Sequence, residues 1–290
     1  MRHTLWLSGL LWAAAWAQAP VSTIEPTTRA FSDWPYYGGD AGGKKYSGLA
    51  QITRANVDTL EIVWTFRTGE TGAGYASAHK MTFEATPVFW RGALYFTTGF
   101  NKAFAVDART GRQKWRFDAG IPKDEHYAEV ASRGVSLWHD AGLPADAACA
   151  HRVFFGTLTG FVHTLDAETG RPCTEFGEQG RVNMTVDVRP TEPGEYTITS
   201  PPAILGDTII VGSAIGDNGG VELARGIVRA LDARTGKVLW AWDPIPKDAA
   251  DPAYSTWQPG SAERTGASNA WAPLSVDTQN GLVFLPTSTP

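Results

Sequence analysis

Short runs in which apolar and polar side chains alternate recur along most of the chain. Four of them follow one another between residues 84 and 119 with only brief breaks: "EATPVFW", "ALYFTTG", "KAFAVDA" and "QKWRFDA". A period of two is typical of half-buried β-strands, and breaks that contain glycine or asparagine predict tight turns. This stretch is therefore predicted to form a four-stranded antiparallel meander.

The same organisation returns twice. A second unit reads "RGVSLWH", "HRVFFGT", "FVHTLDA" and "PCTEFGE", and a third reads "TSPPAIL", "TIIVGSA", "GIVRALD" and "KVLWAWD". A repeat of about sixty residues with four strands each predicts an all-β propeller, one blade per unit. Two more strands, "NAWAPLSVD" and "LVFLPTS", begin a fourth blade, and "LEIVWTFRT" at residues 60–68 is predicted to be an outermost strand.

One eleven-residue motif joins the third strand of a unit to its fourth. It is "AVDARTGRQKW" at residues 105–115 and "ALDARTGKVLW" at residues 230–240, with an imperfect copy, "TLDAETGRPCT", at residues 164–174. The aspartate can cap its own turn and the glycine supplies the positive φ that the turn needs. Trp115 and Trp240 are predicted to pack against a neighbouring blade, whereas the middle copy has Thr174 at this position.

Composition and charge narrow the class of protein. The 290 residues include 31 glycines, 18 prolines and 12 tryptophans, a profile that suits many tight turns in an all-β fold. The formal net charge is −5 without basic clusters, which argues against nucleic acid and anionic membranes as partners. None of the six histidines has metal-ligand spacing to another, so a zinc site is not predicted.

The first residues, "MRHTLWLSGLLWAAAWAQAP", have a basic start, an apolar run and small residues at a cleavage site, as in a secretory signal peptide. The apolar run is too short to span a bilayer, and no other segment is a candidate transmembrane helix. We therefore divide the chain into a signal peptide (residues 1–17), an N-terminal extension (18–58) and a partial propeller (59–290). Because the fourth blade has only two strands, the sequence is expected to be the N-terminal portion of something longer.

Cys149 and Cys173 flank one short β unit in a chain that is predicted to be exported. An exported chain with an even cysteine count permits a disulfide, although two unpaired thiols are the alternative. The disulfide is the favoured prediction, and it would compensate for the tryptophan that the middle motif lacks.

The repeated motif resembles the tryptophan-docking motif of pyrroloquinoline quinone (PQQ) dependent dehydrogenases, which are eight-bladed propellers. "DWPYYGGDAGGKKYSGLAQITRANVDTLEIVWTFRTGE", "RGVSLW", "TSPPAILGDTIIVGSAIGDN" and "SNAWAPLSVDTQNGLVFLPTSTP" resemble further signatures of that family, in order. The likeness is nearer to the glucose, quinate and polyol oxidising branch. Methanol-type enzymes carry two adjacent cysteines where this chain has Tyr127 and Ala128, so His126 or Glu129 is expected to cover the cofactor instead.

The resemblance implies a site for planar, tricarboxylic PQQ at the propeller axis. It assigns cofactor contacts to Glu84, Arg133 and Thr199, which begin innermost strands, and places Trp271 beneath the ring. A blade anchor is the alternative role for Trp271, and a salt bridge at the end of the propeller is the alternative for Arg133. For a Ca²⁺ or Mg²⁺ ion the resemblance implies Asp217 and Asn218 as ligands, and less strongly Thr289, since hard cations prefer oxygen donors.

The implied activity is oxidation of a sugar, polyol or cyclic alcohol in the periplasm, with electrons passing to ubiquinone or a cytochrome c. The family's aspartate base, and a lysine or arginine that contacts the quinone, are expected beyond Pro290, so this chain alone is expected to be inactive or a weak PQQ binder. The alternative from another class is a non-catalytic periplasmic propeller that scaffolds outer-membrane assembly. Such scaffolds share the blade motif but do not need the "TSPPAILGDTIIVGSAIGDN" and "SNAWAP" stretches.

Overall fold

A computed structural model of the protein describes residues 34–189, 192–216 and 219–289. The predicted signal peptide and the metal candidates Asp217 and Asn218 lie outside the described residues. Within the described part, nearly all regular structure is antiparallel sheet, as predicted. None of the helices described there is long and apolar enough to cross a membrane.

The described strands form three four-stranded antiparallel sheets and two two-stranded sheets. The first sheet contains β1 (Val88–Trp90), β2 (Ala93–Thr97), β3 (Lys102–Asp107) and β4 (Gln113–Asp118). The second contains β5 (Ser136–His139), β6 (His151–Gly156), β7 (Phe161–Asp166) and β8 (Arg181–Asn183). The third contains β10 (Ala203–Leu205), β11 (Thr208–Val211), β13 (Val228–Asp232) and β14 (Val238–Trp242).

The remaining strands are short. β9 (Tyr196–Thr197) pairs with β12 (Ala214–Ile215), and β15 (Ser275–Asp277) pairs with β16 (Leu282–Phe284) as the first two strands of the fourth unit. One helical turn, α1 (Ser261–Arg264), and 3₁₀ turns at Val57–Thr59, Ala78–Lys80 and Tyr254–Thr256 lie in the connections. These bounds confirm the predicted all-β architecture of four-stranded antiparallel blades.

The hydrophobic core lies between consecutive sheets. Tyr95 and Ala105 of the first sheet pack against Val153 and Phe155 of the second. A second cluster joins the second and third sheets through residues that include Phe154, Val162, Ile209 and Leu231. Strand residues alternate between these two interfaces, and full burial of each large side chain stabilises the fold by about 1.5–3 kcal/mol. The sheets therefore pack face to face in sequence order.

The repeated motif forms the same corner three times. Oδ1 of its aspartate accepts hydrogen bonds from the backbone amide and the hydroxyl of the threonine three residues later, at 2.7–2.8 Å, in Asp107–Thr110, Asp166–Thr169 and Asp232–Thr235. Two tryptophans from preceding segments dock on these corners: Trp64 Nε1 donates to Ala108 O at 3.2 Å and Trp115 Nε1 to Ala167 O at 2.8 Å.

One of the predicted strands is misplaced. The fourth strand of the second sheet is Arg181–Asn183 rather than the predicted 172–178, because the chain turns between Pro172 and Gly177 and buries Phe176 between sheets. Residues 60–68, predicted to be an outermost strand whose sheet partners are not among these residues, form no ladder with any described strand, so that prediction stays a prediction. Trp64 and Phe66 nevertheless pack against the first sheet from this segment.

Cys149 and Cys173 form a disulfide with a Cα–Cα distance of 5.8 Å. The bridge connects Cys149, two residues before β6, to Cys173 in the turn that follows β7. The amide of Cys149 also donates to Asp166 Oδ2 at 2.7 Å, so the disulfide is tied to the middle corner.

Candidate functional site

The innermost strands are linked to one another where they begin. The amide of Thr86 donates to Arg133 O at 3.1 Å, and the amide of Arg133 donates to Thr199 O at 2.7 Å. Ser200 Oγ donates to Trp271 O at 2.5 Å, which extends the series to the fourth unit. These contacts bring the starts of four successive units side by side at one end of the sheets.

Gly134 allows the close approach of the first two units. Its φ is +129°, and a Cβ atom at this position would lie 3.0 Å from Thr86 O. A side chain is strained in this backbone region and would also crowd that carbonyl. The glycine that follows Arg133 thus permits the hydrogen bond between the Thr86 amide and Arg133 O.

Arg133 is the centre of the resulting cluster. Its Nη1 donates to Thr199 Oγ1 at 2.7 Å, and its Nη2 lies 2.9 Å from Glu129 Oε1 and 3.0 Å from Glu84 Oε2. The guanidinium carbon is 4.8 Å from the ring centroid of Trp271, within cation–π distance. The structure therefore brings the five predicted cofactor residues together around one guanidinium, whose side chain is only 11% exposed.

The cluster has the donor types that a planar polyanion requires. Arg133 offers charged hydrogen-bond donors and Thr199 a hydroxyl, while Trp271 presents a flat indole that is 41% exposed. A carboxylate ligand can take the place of Glu84 or Glu129 on Arg133, because both glutamate side chains are about a third exposed. One arginine and two glutamates leave a formal charge of −1, so a bound polyanion would be stabilised by an added cation.

Glu129 reaches Arg133 from a loop that is anchored by Tyr127. The Tyr127 hydroxyl donates to Pro122 O at 3.1 Å and to Glu125 Oε2 at 3.2 Å, and burial, followed by the Glu125 charge, raises the Tyr127 pKa. Ser77 Oγ accepts from the Tyr127 amide and Lys80 Nζ donates to its carbonyl, each at 2.9 Å. Sequence reasoning missed this anchor, since Ser77 and Lys80 lie about fifty positions away from Tyr127.

His126, the other residue expected to cover the cofactor, lies on the same loop. The amide of Ala128, two positions later, donates to Gly194 O at 3.0 Å, and a Cβ at Gly194 would lie 2.2 Å from His126 O. The described contact of this loop with Arg133 is made by Glu129. Glu129 therefore remains the better supported of the two candidates.

The structure describes only Thr289 among the predicted metal ligands. Thr289 is exposed, and the amide of the preceding Ser288 donates to Asn269 O at 2.8 Å, which places Thr289 beside the segment that carries Trp271. Among the described residues no group of three or more His, Cys, Asp or Glu side chains could hold a metal ion. A metal centre is not assembled by these residues on their own.

Comparison with known proteins identifies the family that the chain resembles. The family model described as PQQ: glucose/ethanol/alcohol dehydrogenase, beta-propeller domain, matches residues 34–290. Quinoprotein glucose dehydrogenase A of Acinetobacter calcoaceticus is 33% identical over 92% of the chain and 35% of its own length. Quinate/shikimate dehydrogenase (quinone) of Acinetobacter baylyi is 34% identical over 94% of the chain and 34% of its own length.

The fold matches a solved structure as well. Quinohemoprotein alcohol dehydrogenase from Comamonas testosteroni superposes with a TM-score of 0.71 at 28% identity, over 88% of this chain and 35% of that protein. The chain thus spans about a third of the length of the curated relatives and of the solved protein that it matches.

Proposed function

The chain belongs to the family of PQQ-dependent glucose, ethanol and alcohol dehydrogenase propellers, and we propose that it forms the PQQ-holding part of a dehydrogenase that oxidises a sugar, polyol or cyclic alcohol. The convergence of Glu84, Glu129, Thr199 and Trp271 on Arg133 is the observation that carries this proposal. Sugar, quinate and glycerol oxidation are named for relatives at 30–34% identity.

Each of these residues has a role that follows from its contacts. Arg133 and Thr199 would bind carboxylate and carbonyl oxygens of PQQ, which supplies a quinone that accepts a hydride from the alcohol carbon. Trp271 would orient the planar ring by stacking, and its contact with Arg133 would fix the angle of the indole. Glu129, held by the Tyr127 loop, would exclude water from one side of the ring.

A divalent cation completes the proposal. The formal charge of −1 on the described cluster opposes binding of a tricarboxylate unless positive charge is added nearby. We propose Ca²⁺, or Mg²⁺ in its place, with Asp217, Asn218 and Thr289 as oxygen ligands, because carbonyl, carboxylate and hydroxyl oxygens suit hard cations. The cation would polarise the reacting carbonyl of the quinone.

The compartment and the electron acceptor belong to the same proposal. A cleavable signal peptide over residues 1–17 would export the chain to the periplasm, where a disulfide such as Cys149–Cys173 persists. Relatives include quinohemoprotein alcohol dehydrogenases, which favours a cytochrome as acceptor of the electrons, with ubiquinone as the membrane alternative.

A binding titration tests the proposal without relying on turnover. PQQ added with Ca²⁺ is expected to quench protein fluorescence saturably, because the proposal places Trp271 against the bound ring. R133Q removes the charge-assisted bonds and is expected to weaken PQQ at least about tenfold, whereas R116Q, on the exposed outer strand β4, should leave affinity unchanged. Equal affinity in R133Q and wild type, or no saturable quenching, would overturn the proposal and favour a non-catalytic scaffold.

A further inference from the structure

A cavity of about 530 Å³ lies where the innermost strands end, at the opposite end of those strands from the Arg133 cluster. All four units contribute to it. Trp90 ends β1 and Arg91 follows it, Trp138 and His139 end β5, the Gly206–Asp207 turn follows β10, and Thr278 follows β15. Tyr36 of the N-terminal segment closes one side. The cavity is large enough for a small organic ligand.

Arginines cover the two indoles that form its walls. The Arg91 guanidinium lies 4.6 Å from the Trp90 ring centroid, and that of Arg234 lies 5.1 Å from Trp138. Arg234 is neutralised by Asp140 and Asp207, at 2.9 and 2.7 Å. Arg152 Nη1 donates to the carbonyls of Ala233 and Arg234, which commits this second guanidinium over Trp138 to the backbone.

Arg91 differs from these two arginines. Over the described ranges, it has no carboxylate within ion-pair distance and no hydrogen-bond acceptor. Arg91 is exposed on the turn between β1 and β2, and it lines the cavity without the carboxylate partners that hold Arg234 or the carbonyl partners that hold Arg152.

A histidine pair lies next to this cation. His139 and His151 are opposite each other on β5 and β6, and their rings stack at 4.3 Å. His139 Nδ1 is 3.1 Å from Ala150 O. The His151 side chain is mostly buried, and its Nε2 has no hydrogen-bond partner among the described residues. Burial, then the charges of Arg91 and His139, lowers the His151 pKa, so the ring is neutral at pH 7 and can donate or accept one hydrogen bond.

We propose that this cavity binds a small aromatic carboxylate, with the carboxylate on Arg91 and the flat ring in the space that Trp90, Trp138 and Tyr36 line. Arg91 offers a fork of donors that matches a carboxylate, and charge-assisted bonds of this kind give most of the orientation in a site of this size. A ring hydroxyl beside the carboxylate would give the buried His151 Nε2 the hydrogen-bond partner that it lacks among the described residues. A second, chemically distinct ligand therefore binds at the face opposite the cofactor residues.

Salicylate is a suitable probe, because it has a carboxylate and an adjacent hydroxyl on one ring. Calorimetric titration of salicylate into the full chain is expected to give one site with a Kd of about 1 mM or tighter. R91Q changes an exposed turn residue and should leave folding intact. It is expected to weaken salicylate binding about tenfold or more.

The R133Q variant separates this site from the cofactor cluster. R133Q is expected to leave salicylate affinity unchanged and R91Q to leave PQQ quenching unchanged, so either proposal can fail alone. The inference is overturned if salicylate gives no saturable binding, if R91Q binds it as tightly as wild type, or if R133Q abolishes it.

Discussion

Two neighbouring interfaces use the same corner but different partners. Between the first and second sheets, Trp115 is 93% buried and its Nε1 donates to Ala167 O at 2.8 Å. Its ring lies against Gly170, where a Cβ would be 2.6 Å from Trp115 Cδ2. An indole thus supplies both the apolar contact and the hydrogen bond.

Between the second and third sheets the motif has Thr174 in place of the tryptophan. Several residues together supply the hydrogen bond and the apolar contact that the indole would make. Arg152 Nη1 donates to Ala233 O at 3.1 Å, the equivalent carbonyl. Phe176 and Val182 occupy the space beside Gly236, and the Gly177 amide donates to Thr235 O at 2.9 Å. The Cys149–Cys173 disulfide joins two connections of the second sheet, before β6 and after β7.

The comparison shows which requirements of the corner are physical. The alanine carbonyl must receive a donor and the glycine must be covered by apolar atoms, because a buried unpaired carbonyl costs about 1–3 kcal/mol. Either an indole or a guanidinium with a phenyl ring meets these requirements. Where Arg152 replaces the indole, its positive charge must be balanced by the carbonyl oxygens around it. The Cys149–Cys173 disulfide restrains the chain next to this arginine.

Replacement of Trp115 should produce the largest effect. W115A leaves a cavity and an unpaired Ala167 carbonyl, and we expect it to lower the free energy of unfolding by about 4 kcal/mol. W115F, which keeps most of the apolar contact, is expected to lose about 1 kcal/mol. Urea denaturation followed by circular dichroism measures both.

Trp240 is the matched control for this prediction. It occupies the same motif position in the third unit but is 40% exposed, and no described residue accepts a hydrogen bond from its indole. W240A is therefore expected to cost less than about 1 kcal/mol. A loss as large as that of W115A would contradict the view that the tryptophan stabilises the fold only where its indole packs against a neighbouring sheet.

Removal of the disulfide should have the next largest effect. Cys149 and Cys173 are 24 residues apart, and a cross-link of this length stabilises by about 3 kcal/mol through the unfolded chain. We expect C149S/C173S to lose this amount in urea denaturation. Wild type in reductant should match the double variant, and reductant should leave the double variant unchanged. Equal stability of oxidised and reduced wild type would show that Arg152 and Phe176 suffice.

The corners and most strands could be predicted from sequence because their determinants are local. Asp107, Thr110 and Gly111 lie within five positions of one another, and alternation sets which face of each strand is buried. The convergence on Arg133 was also predictable, since Glu84, Arg133 and Thr199 lie on the segments that lead into the innermost strands at one end of the sheets.

The rest depends on contacts between distant positions. Arg152 reaches the Ala233 carbonyl 81 residues away, and Ser77 binds the Tyr127 amide across 50 positions. The fourth strand of the second sheet was misplaced for a related reason, since Pro172 and the disulfide divert the chain before β8. No local pattern signals these pairings.

The guanidinium of Arg152 provides a direct test of the substitution. R152M keeps an unbranched apolar side chain but removes the guanidinium over Trp138 and its donors to the carbonyls of Cys149, Ala233 and Arg234. We expect a loss of about 2 kcal/mol in urea denaturation, given the strength of bonds to charged donors. A neutral outcome would mean that the Ala233 carbonyl is not a necessary part of the corner.

Acid should distinguish the two interfaces more subtly, through His163. This side chain stacks on Phe155 at 5.3 Å and lies 5.6 Å from Phe117 across the first interface. Burial, followed by the charge of Arg181, lowers the His163 pKa from 6.5 to about 4. Between these pH values the unfolded chain binds more protons than the folded one, so the free energy of unfolding falls as the pH falls.

From pH 8 to pH 5.5 the protonation of His163 alone should lower the free energy of unfolding by about 1.4 kcal/mol, and the loss should continue towards pH 4. H163F should remove this part of the pH dependence, which urea denaturation at each pH measures. Parallel pH profiles for H163F and wild type would show that His163 does not titrate differently on unfolding.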